Sequence, residues 1–215
     1  MSAAGRNLPG RSRQQLDQYM TPAWAVEALL AEAADSIPGP VLDPCCGSGS
    51  ILSALGGHPV ERIGMDLDEG MVDLARQALR VADRPAEGLT DSAVSGDFLG
   101  PLGHVQGFVG GWGVETIVTN PPYRLAEEFI VRSLAVLPSG GRVFALLRLG
   151  FLASQRRRHL YEGDRFRGVY VLTRRPSFVH GRTDASEYGW FWWSVAPAGG
   201  RRPRAPVVKR LEVQP

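Results

Sequence analysis

The amino-acid sequence predicts a three-layer α/β fold with a mainly parallel sheet and an antiparallel edge. Short apolar runs typical of buried strands alternate with amphipathic helical patterns from residue 24 to about residue 161. This alternation is the pattern of a parallel sheet that is covered by helices on both faces. The strand-like runs after residue 166 follow at hairpin-like spacing, which indicates an antiparallel edge. With 215 residues, the chain is long enough for one domain with a sizeable core.

The N-terminal stretch divides into a polar tail and a capped helix. Residues 1–15 are polar and are predicted to be disordered, whereas residues 16–215 are predicted to form a single domain. Thr21 is a good N-cap residue for the first helix, with Pro22 at the first helical position.

The remaining elements follow from apolar periodicity and from turn residues. Residues 100–113 contain six glycines and are predicted to form a loose surface loop, and residues 92–95 are too short and mixed to predict a strand. In order, the predicted elements are a helix at 24–34, a strand, loop and helix at 41–55, a strand at 62–68, helices at 69–81 and 125–137, strands at 115–119 and 142–149, a helix at 151–161 and strands at 166–173, 188–195 and 206–213.

Composition is ordinary for a globular protein, but the charge is unevenly distributed. Residues 1–141 carry nine Arg against 17 Asp and Glu, whereas residues 142–215 carry 15 Lys and Arg against five Asp and Glu. A basic segment of this kind, consisting almost entirely of Arg, suits a polyanionic partner. The two cysteines are adjacent and form neither a disulfide framework nor a metal site by themselves, and no apolar run reaches membrane-spanning length. A reduced, cytoplasmic protein is therefore expected.

The tetrapeptide Asn120-Pro121-Pro122-Tyr123 follows the apolar run 115–119. The carboxyl end of a buried strand is where open α/β sheets bind ligands. The two prolines stiffen the backbone and leave their carbonyl oxygens free to accept hydrogen bonds. An amide oxygen, a rigid carbonyl and an aromatic ring at one corner suit a flat molecule with an exocyclic amine.

Three acidic positions mark a second ligand-binding region. The glycine-bearing loop at 43–50 differs from both the P-loop and the GxGxxG pattern, and it begins with Asp43, which repels a pyrophosphate but suits a cationic ligand. Asp66 ends the next strand, a position that binds ribose hydroxyls in nucleotide-binding folds. Asp97 and Phe98 place a carboxylate beside an aromatic ring, a pair that suits an adenine amine and its π-face.

The motifs DPCCGSG, MDLD, GDF and NPPY, in this order, resemble those of S-adenosylmethionine-dependent amino methyltransferases, which have a Rossmann-like fold. TPAWAVEALL resembles the N-terminal cofactor motif of DNA N6-adenine methyltransferases. RRPSF and GRTDASEYGWFWW resemble segments of the small phage- and prophage-type members. The resemblance covers about residues 19–195 and includes no large separate target-recognition domain. Sequence recognition would therefore depend on loops or on a partner.

The resemblance implies a site-specific, adenine-specific DNA methyltransferase that uses S-adenosyl-L-methionine and needs no metal. Asn120 and the Pro121 carbonyl would accept the two N–H bonds of the target amine, Pro122 would complete the catalytic motif, and Tyr123 would stack on the flipped base. The cofactor contacts that it implies are Tyr19, Thr21, Pro22, Asp43, Pro44, Cys45, Gly47, Gly49, Asp66, Leu67, Asp97, Phe98 and Asn120.

The substrate has alternatives, because adenine in RNA or a protein glutamine also presents a planar NH2 group, and a non-catalytic cofactor- or DNA-binding module is a third reading. The basic, aromatic C-terminal third favours nucleic acid. Arg174, Arg175 and Arg182 are expected to bind phosphates, and Phe178 either stacks on the base or is a hydrophobic plug under its loop. His180 is expected to be a surface residue. The target sequence, the strand preference and the oligomeric state, monomer or dimer, stay open.

Overall fold

A computed structural model describes residues 20–82, 88–178, 185–196 and 205–212. The predicted disordered tail at 1–15 lies outside these ranges, as do Tyr19, His180 and Arg182. Within them the helices are α1 (Ala23–Ala33), α2 (Ser50–Ala54), α3 (Glu69–Val81), α4 (Leu102–Gly111), α5 (Ala126–Val136) and α6 (Arg158–Tyr161). The strands are β1 (Val41–Asp43), β2 (Arg62–Asp66), β3 (Ser92–Ser95), β4 (Thr116–Thr119), β5 (Arg142–Arg148), β6 (Phe166–Leu172), β7 (Tyr188–Ser194) and β8 (Val207–Leu211).

The strands form one sheet in the order β3-β2-β1-β4-β5-β7-β6-β8. The first five strands are parallel to one another, and β7 is antiparallel to both β5 and β6. The outermost strand, β8, is parallel to β6. The predicted α/β fold with a mainly parallel sheet and an antiparallel edge is therefore confirmed. Because the strand order reverses between β1 and β4, the loops after these two strands meet at the carboxyl edge of the sheet.

The sheet separates two apolar layers, because side chains alternate between its faces along each strand. On β5, Val143, Ala145 and Leu147 face the layer that contains α4 and α5, whereas Phe144 and Leu146 face the layer that contains α1. The two fully buried tryptophans of β7 find hydrogen-bond partners in these layers. Trp190 Nε1 donates to the Ala25 carbonyl and Trp193 Nε1 to the Leu160 carbonyl, each at 2.8 Å.

Three segments differ from the sequence prediction. The glycine-rich segment 100–113 is not a loose loop, because it contains helix α4. Val105 and Val109, which are four residues apart, are 3% and 1% exposed in the core, and this packing outweighs the helix-breaking effect of the glycines. The predicted helix at 151–161 is only partly helical, because two 3₁₀ turns precede the single turn of α6. The short segment Ser92–Ser95, for which no strand was predicted, pairs with β2.

No helix in the described ranges is both long enough and apolar enough to cross a membrane.

Candidate active site

The loop after β1 lies against the end of β2. The Gly47 N–H donates to Asp66 Oδ2 at 2.8 Å, and the Cys46 N–H donates to the Met65 carbonyl at 3.0 Å. Gly47 has a φ of +51°, and a Cβ built on it would meet nothing within 4 Å. Gly49, with a φ of +85°, lies so close to α3 that a Cβ would come within 3.0 Å of the Ala75 Cα. The loop is thus closed on its helix side and open above Gly47.

The Asp66 carboxylate is held in place by the backbone on both of its oxygens. Besides the bond from Gly47, Oδ1 accepts the Asp68 N–H at 3.0 Å. The next residue, Leu67, is 66% exposed. Asp97, after the neighbouring strand β3, is exposed, and its Oδ1 accepts the Leu99 N–H at 2.9 Å. The structure therefore brings two carboxylates and an exposed apolar side chain to one edge of the sheet.

Phe98 does not join this group, which corrects the expectation that its ring meets the adenine. Its side chain is 2% exposed and stacks on Phe129 with ring centroids 5.7 Å apart. A ring buried to this extent has almost no surface for a ligand. Its role in this structure is core packing beneath Asp97.

Asp43 links β1 to β4 from a buried position. Thr119 Oγ1 donates to Asp43 Oδ1 at 2.8 Å, and the Cys45 N–H donates to the same oxygen at 3.3 Å. Burial raises the pKa of Asp43 to about 7, because the charged form loses its hydration, although the hydrogen bond from Thr119 opposes this rise. Asp43 is only 2% exposed, which leaves its side chain almost no surface for direct contact with a ligand. The buried Pro44 follows it in that loop.

Cys45 lies between the two strand ends. Its Sγ is 3.0 Å from Thr119 Oγ1 and donates a long hydrogen bond of 3.6 Å to the Asn120 carbonyl. Burial, together with the nearby Asp43 carboxylate, raises the pKa of this thiol well above its usual range, and the pKa of Cys46 is raised by burial as well. Both side chains therefore stay thiols, and neither is suited to act as a nucleophile.

The Asn120 side chain is fixed by a residue from the start of the chain. Its Nδ2 donates to Thr21 Oγ1 at 3.1 Å, and Thr21 is 5% exposed. The sequence prediction that Thr21 is the N-cap of α1 is therefore wrong. Pro22 occupies that position without a side-chain cap, because the hydroxyl is engaged across the fold. The bond turns the Asn120 amide oxygen, which can only accept hydrogen bonds, away from Thr21.

The rest of the NPPY motif forms a corner beside β5 and β7. Pro121 is buried, Pro122 is exposed and Tyr123 is half-buried. The Tyr123 ring lies 6.0 Å from the ring of Tyr188, and the Arg148 guanidinium carbon lies 5.0 Å from the Tyr123 ring centroid. Arg148 Nε in turn donates to Tyr188 Oη at 3.0 Å. Sequence reasoning missed Arg148 and Tyr188, which become neighbours only through the antiparallel pairing of β5 with β7.

The basic segment after β6 lies near this corner. The Arg174 guanidinium carbon is 5.3 Å from the ring centroid of Trp24, and Arg175 Nη2 donates to Glu187 Oε1 at 2.6 Å. Two alternative roles were predicted for Phe178, and its burial favours the hydrophobic plug over the base-stacking surface. It is 6% exposed, and its ring meets Tyr188 edge-to-face at 5.1 Å. An apolar ring buried against another aromatic ring is stabilised by that packing.

The sheet order and the two loops at its carboxyl edge define the Rossmann-like fold of class I S-adenosylmethionine-dependent methyltransferases. A protein from Listeria monocytogenes assigned to that class is 16% identical, with a TM-score of 0.63 over 94% of this chain and 68% of that one. A protein from Agrobacterium tumefaciens, predicted to be an O-methyltransferase, is 20% identical, with a TM-score of 0.59 over 88% and 85% of the two chains. The M protein of the type I restriction enzyme EcoKI is 14% identical, with a TM-score of 0.57 over 85% of this chain and 45% of that one.

No protein-family model and no curated protein matches the chain.

Proposed function

We propose that this protein transfers a methyl group from S-adenosyl-L-methionine to the exocyclic N6 amine of adenine in DNA. The observation that carries the proposal is the corner at the end of β4, where Thr21 holds the Asn120 amide three residues before the half-buried Tyr123. An acceptor oxygen in a fixed position next to an aromatic ring matches the edge and the face of an aminopurine.

The residues of the neighbouring loop fit the proposed cofactor. The backbone is open above Gly47, the Asp66 carboxylate is fixed by two N–H groups, and Leu67 offers an exposed apolar surface. Asp66 would hold ribose hydroxyls, while Leu67 and Asp97 would border the adenine ring. When bound, the cofactor supplies an electrophilic methyl group on a sulfonium.

The target amine needs positioning more than it needs a base. Its lone pair is delocalised into the purine ring, which makes the nitrogen a weak nucleophile. Hydrogen bonds from its two N–H groups to the Asn120 amide oxygen and the Pro121 carbonyl favour a pyramidal nitrogen with a localised lone pair. Tyr123 would fix the plane of the base. The nitrogen becomes acidic once it is alkylated, so no side chain has to remove its proton beforehand.

Two features support nucleic acid as the substrate. Residues 142–215 carry a large excess of Arg, and Arg174 and Arg175 are exposed near the proposed site. Solved structures with this fold include the M protein of a restriction enzyme and an RNA methyltransferase from Salinibacter ruber with bound S-adenosyl-L-homocysteine.

The test is transfer of a labelled methyl group to duplex DNA, single-stranded DNA, RNA and a glutamine-bearing protein, followed by nucleoside analysis. We expect N6-methyl-2′-deoxyadenosine from DNA, and no product from the Asn120→Ala variant. Label in RNA adenosine or in glutamine would move the assignment to that substrate. An absence of label in all four, with the cofactor bound, would reject the catalytic function.

A further inference from the structure

The connection between β5 and β6 carries a group of cations that the proposed mechanism does not use. After Arg148, the last residue of β5, three consecutive arginines and a histidine occupy positions 156–159. This segment leaves the sheet at the same edge as the NPPY motif, because β4 and β5 are adjacent and parallel.

Glu127 fixes this segment to the helix that follows NPPY. The Glu127 side chain is 18% exposed, and its carboxylate oxygens lie 3.5 Å from Arg156 Nε, 3.7 Å from Arg157 Nε and 3.7 Å from His159 Nε2. The Arg157 guanidinium also covers the Phe151 ring, 4.1 Å from its centroid. Since Glu127 is in the first turn of α5, the position of the arginines relative to Tyr123 is set by the fold.

Anchoring by Arg157 leaves its two neighbours directed to solvent. The side chain of Arg156 is 79% exposed and that of Arg158 is 76% exposed. Arg158 pairs with Glu162, one helical turn later, and Arg156 shares the Glu127 carboxylate with Arg157 and His159. Exposed pairs of this kind contribute little and are screened by salt, so a phosphate can compete for both guanidinium groups.

A third exposed arginine, Arg148, contacts Tyr123, the proposed base-stacking ring. Arg148 is exposed, lies over Tyr123 and is oriented by the Tyr188 hydroxyl. Its guanidinium has donors only, in a planar fork that suits two phosphate oxygens.

We propose that Arg148, Arg156 and Arg158, here called the arginine rim, bind the phosphates of the nucleic-acid strand beside the flipped adenine. This inference rests on the proposed function and extends it to the path of the strand, which would pass over the β5–β6 connection. A rim made of Arg rather than Lys favours bidentate phosphate contacts. A peptide substrate without phosphates would gain little from it.

The test measures the affinity of a fluorescent adenine-containing DNA duplex across a salt series, with S-adenosyl-L-homocysteine present. The variants are Arg148→Gln and the double variant R156Q/R158Q. The matched control is Arg80→Gln, because Arg80 is an exposed arginine near Asp91 and the start of β3, at the opposite edge of the sheet. Each lost phosphate contact should reduce the slope of log K against log salt by about 0.9. We therefore expect a reduction of about 0.9 for Arg148→Gln and about 1.8 for R156Q/R158Q, and none for Arg80→Gln.

The outcomes separate the rim from the proposed function. If wild-type binding depends on salt and all variants keep the wild-type slope, the proposal that the arginine rim binds phosphates is wrong, and the proposed nucleic-acid function stands. If wild-type protein shows no salt-dependent binding of DNA or of RNA of the same sequence, the proposed function fails, and the rim fails with it. An equal reduction of the salt slope in the Arg80→Gln control would show that the effect comes from the overall charge of the protein, and this would also reject the proposed arginine rim. Arg156→Glu, a charge reversal at a solvent-exposed position, should weaken binding further while leaving the thermal midpoint unchanged.

Discussion

The NPPY corner and the arginine rim lie at the same edge of the sheet but are built differently. In the corner, Asp43, Thr21 and Thr119 are almost fully buried, and each has a defined hydrogen-bond partner. In the rim, Arg156 and Arg158 are mostly exposed and make only surface ion pairs.

The difference indicates a division of labour. Orienting a weak nucleophile requires acceptors in fixed positions before the reaction, so burial and defined hydrogen bonds suit the corner. A charged surface gains affinity mainly by releasing counterions, and this needs charge near the phosphates rather than a rigid geometry. Changes in the corner should therefore affect turnover or cofactor affinity, whereas changes on the basic surface should affect the salt dependence of binding.

The largest effect is expected for Asn120→Ala. The variant removes the acceptor that favours a pyramidal amine, so we expect kcat to fall by roughly 10²–10³ or more. Cofactor affinity should stay within a few-fold, because Asn120 follows β4, whereas Asp66, the proposed ribose contact, ends β2, two strands away in the sheet. Single-turnover methylation and calorimetry with S-adenosyl-L-homocysteine measure the two quantities. Near wild-type turnover would remove Asn120 from the mechanism.

Asp66→Ala should weaken cofactor binding by about 2–4 kcal/mol, because the proposed ribose hydroxyls lose a shared, partly desolvated acceptor. Asp66→Asn is the matched variant, since it retains the shape and one acceptor oxygen toward Gly47, and it should lose less. Calorimetry with S-adenosyl-L-homocysteine is the measurement. Unchanged affinity in both variants would show that the end of β2 does not hold the cofactor.

Asp43→Asn should stabilise the protein at high pH relative to wild type. Burial raises the Asp43 pKa from 3.8 to about 7, so between these values the folded state holds a proton that the unfolded chain has released. This contribution to wild-type stability is fully present below about pH 4 and is lost as the pH rises through about 7. The difference in unfolding free energy, variant minus wild type, should increase from about pH 4 to about pH 7, by at most a few kcal/mol. A difference that is independent of pH would contradict the buried titration.

Thr21→Val should lower kcat about tenfold, because the Asn120 amide nitrogen loses its partner and the amide is no longer held in one orientation. The substitution conserves volume, so the fold should be retained. Thr21→Ser restores the hydroxyl and should restore most of the turnover. Equal turnover of the Val and Ser variants would show that the bond between Thr21 and Asn120 does not position the amide.

The smallest effect is expected for Arg175→Ala, on the basic segment after β6. Loss of one phosphate contact should reduce the salt slope of DNA binding by about one and leave kcat at saturating DNA unchanged. The ion pair of Arg175 with Glu187 is exposed, so its loss should leave the thermal midpoint nearly unchanged. A slope equal to that of wild type would place the phosphate path elsewhere, whereas a fall in kcat would make this region part of the corner.

The sequence alone determined the elements whose signals are local. Helix α3 begins and ends where its apolar period predicts, and Asp68 caps it by accepting the N–H groups of Gly70 and Met71. The strand before NPPY and the loop after β1 were also predicted from local signals. The strand is a continuous apolar run, as a buried parallel strand should be, and the loop contains the glycines that a tight turn needs. Their order along the chain was sufficient to predict the sheet class.

Tertiary structure alone decided which side chains meet. Thr21 and Asn120 are 99 positions apart, and the local signal at Thr21 pointed to a helix cap. Arg148 reaches Tyr188 only through strand pairing, and α4 is a helix because Val105 and Val109 gain a core to pack in. Phe178 illustrates the same limit of sequence analysis, because the local sequence of a basic loop does not determine whether its aromatic ring faces solvent or the core. Periodicity and turn chemistry act over a few residues, whereas hydrogen bonds and burial between distant segments depend on the assembled sheet.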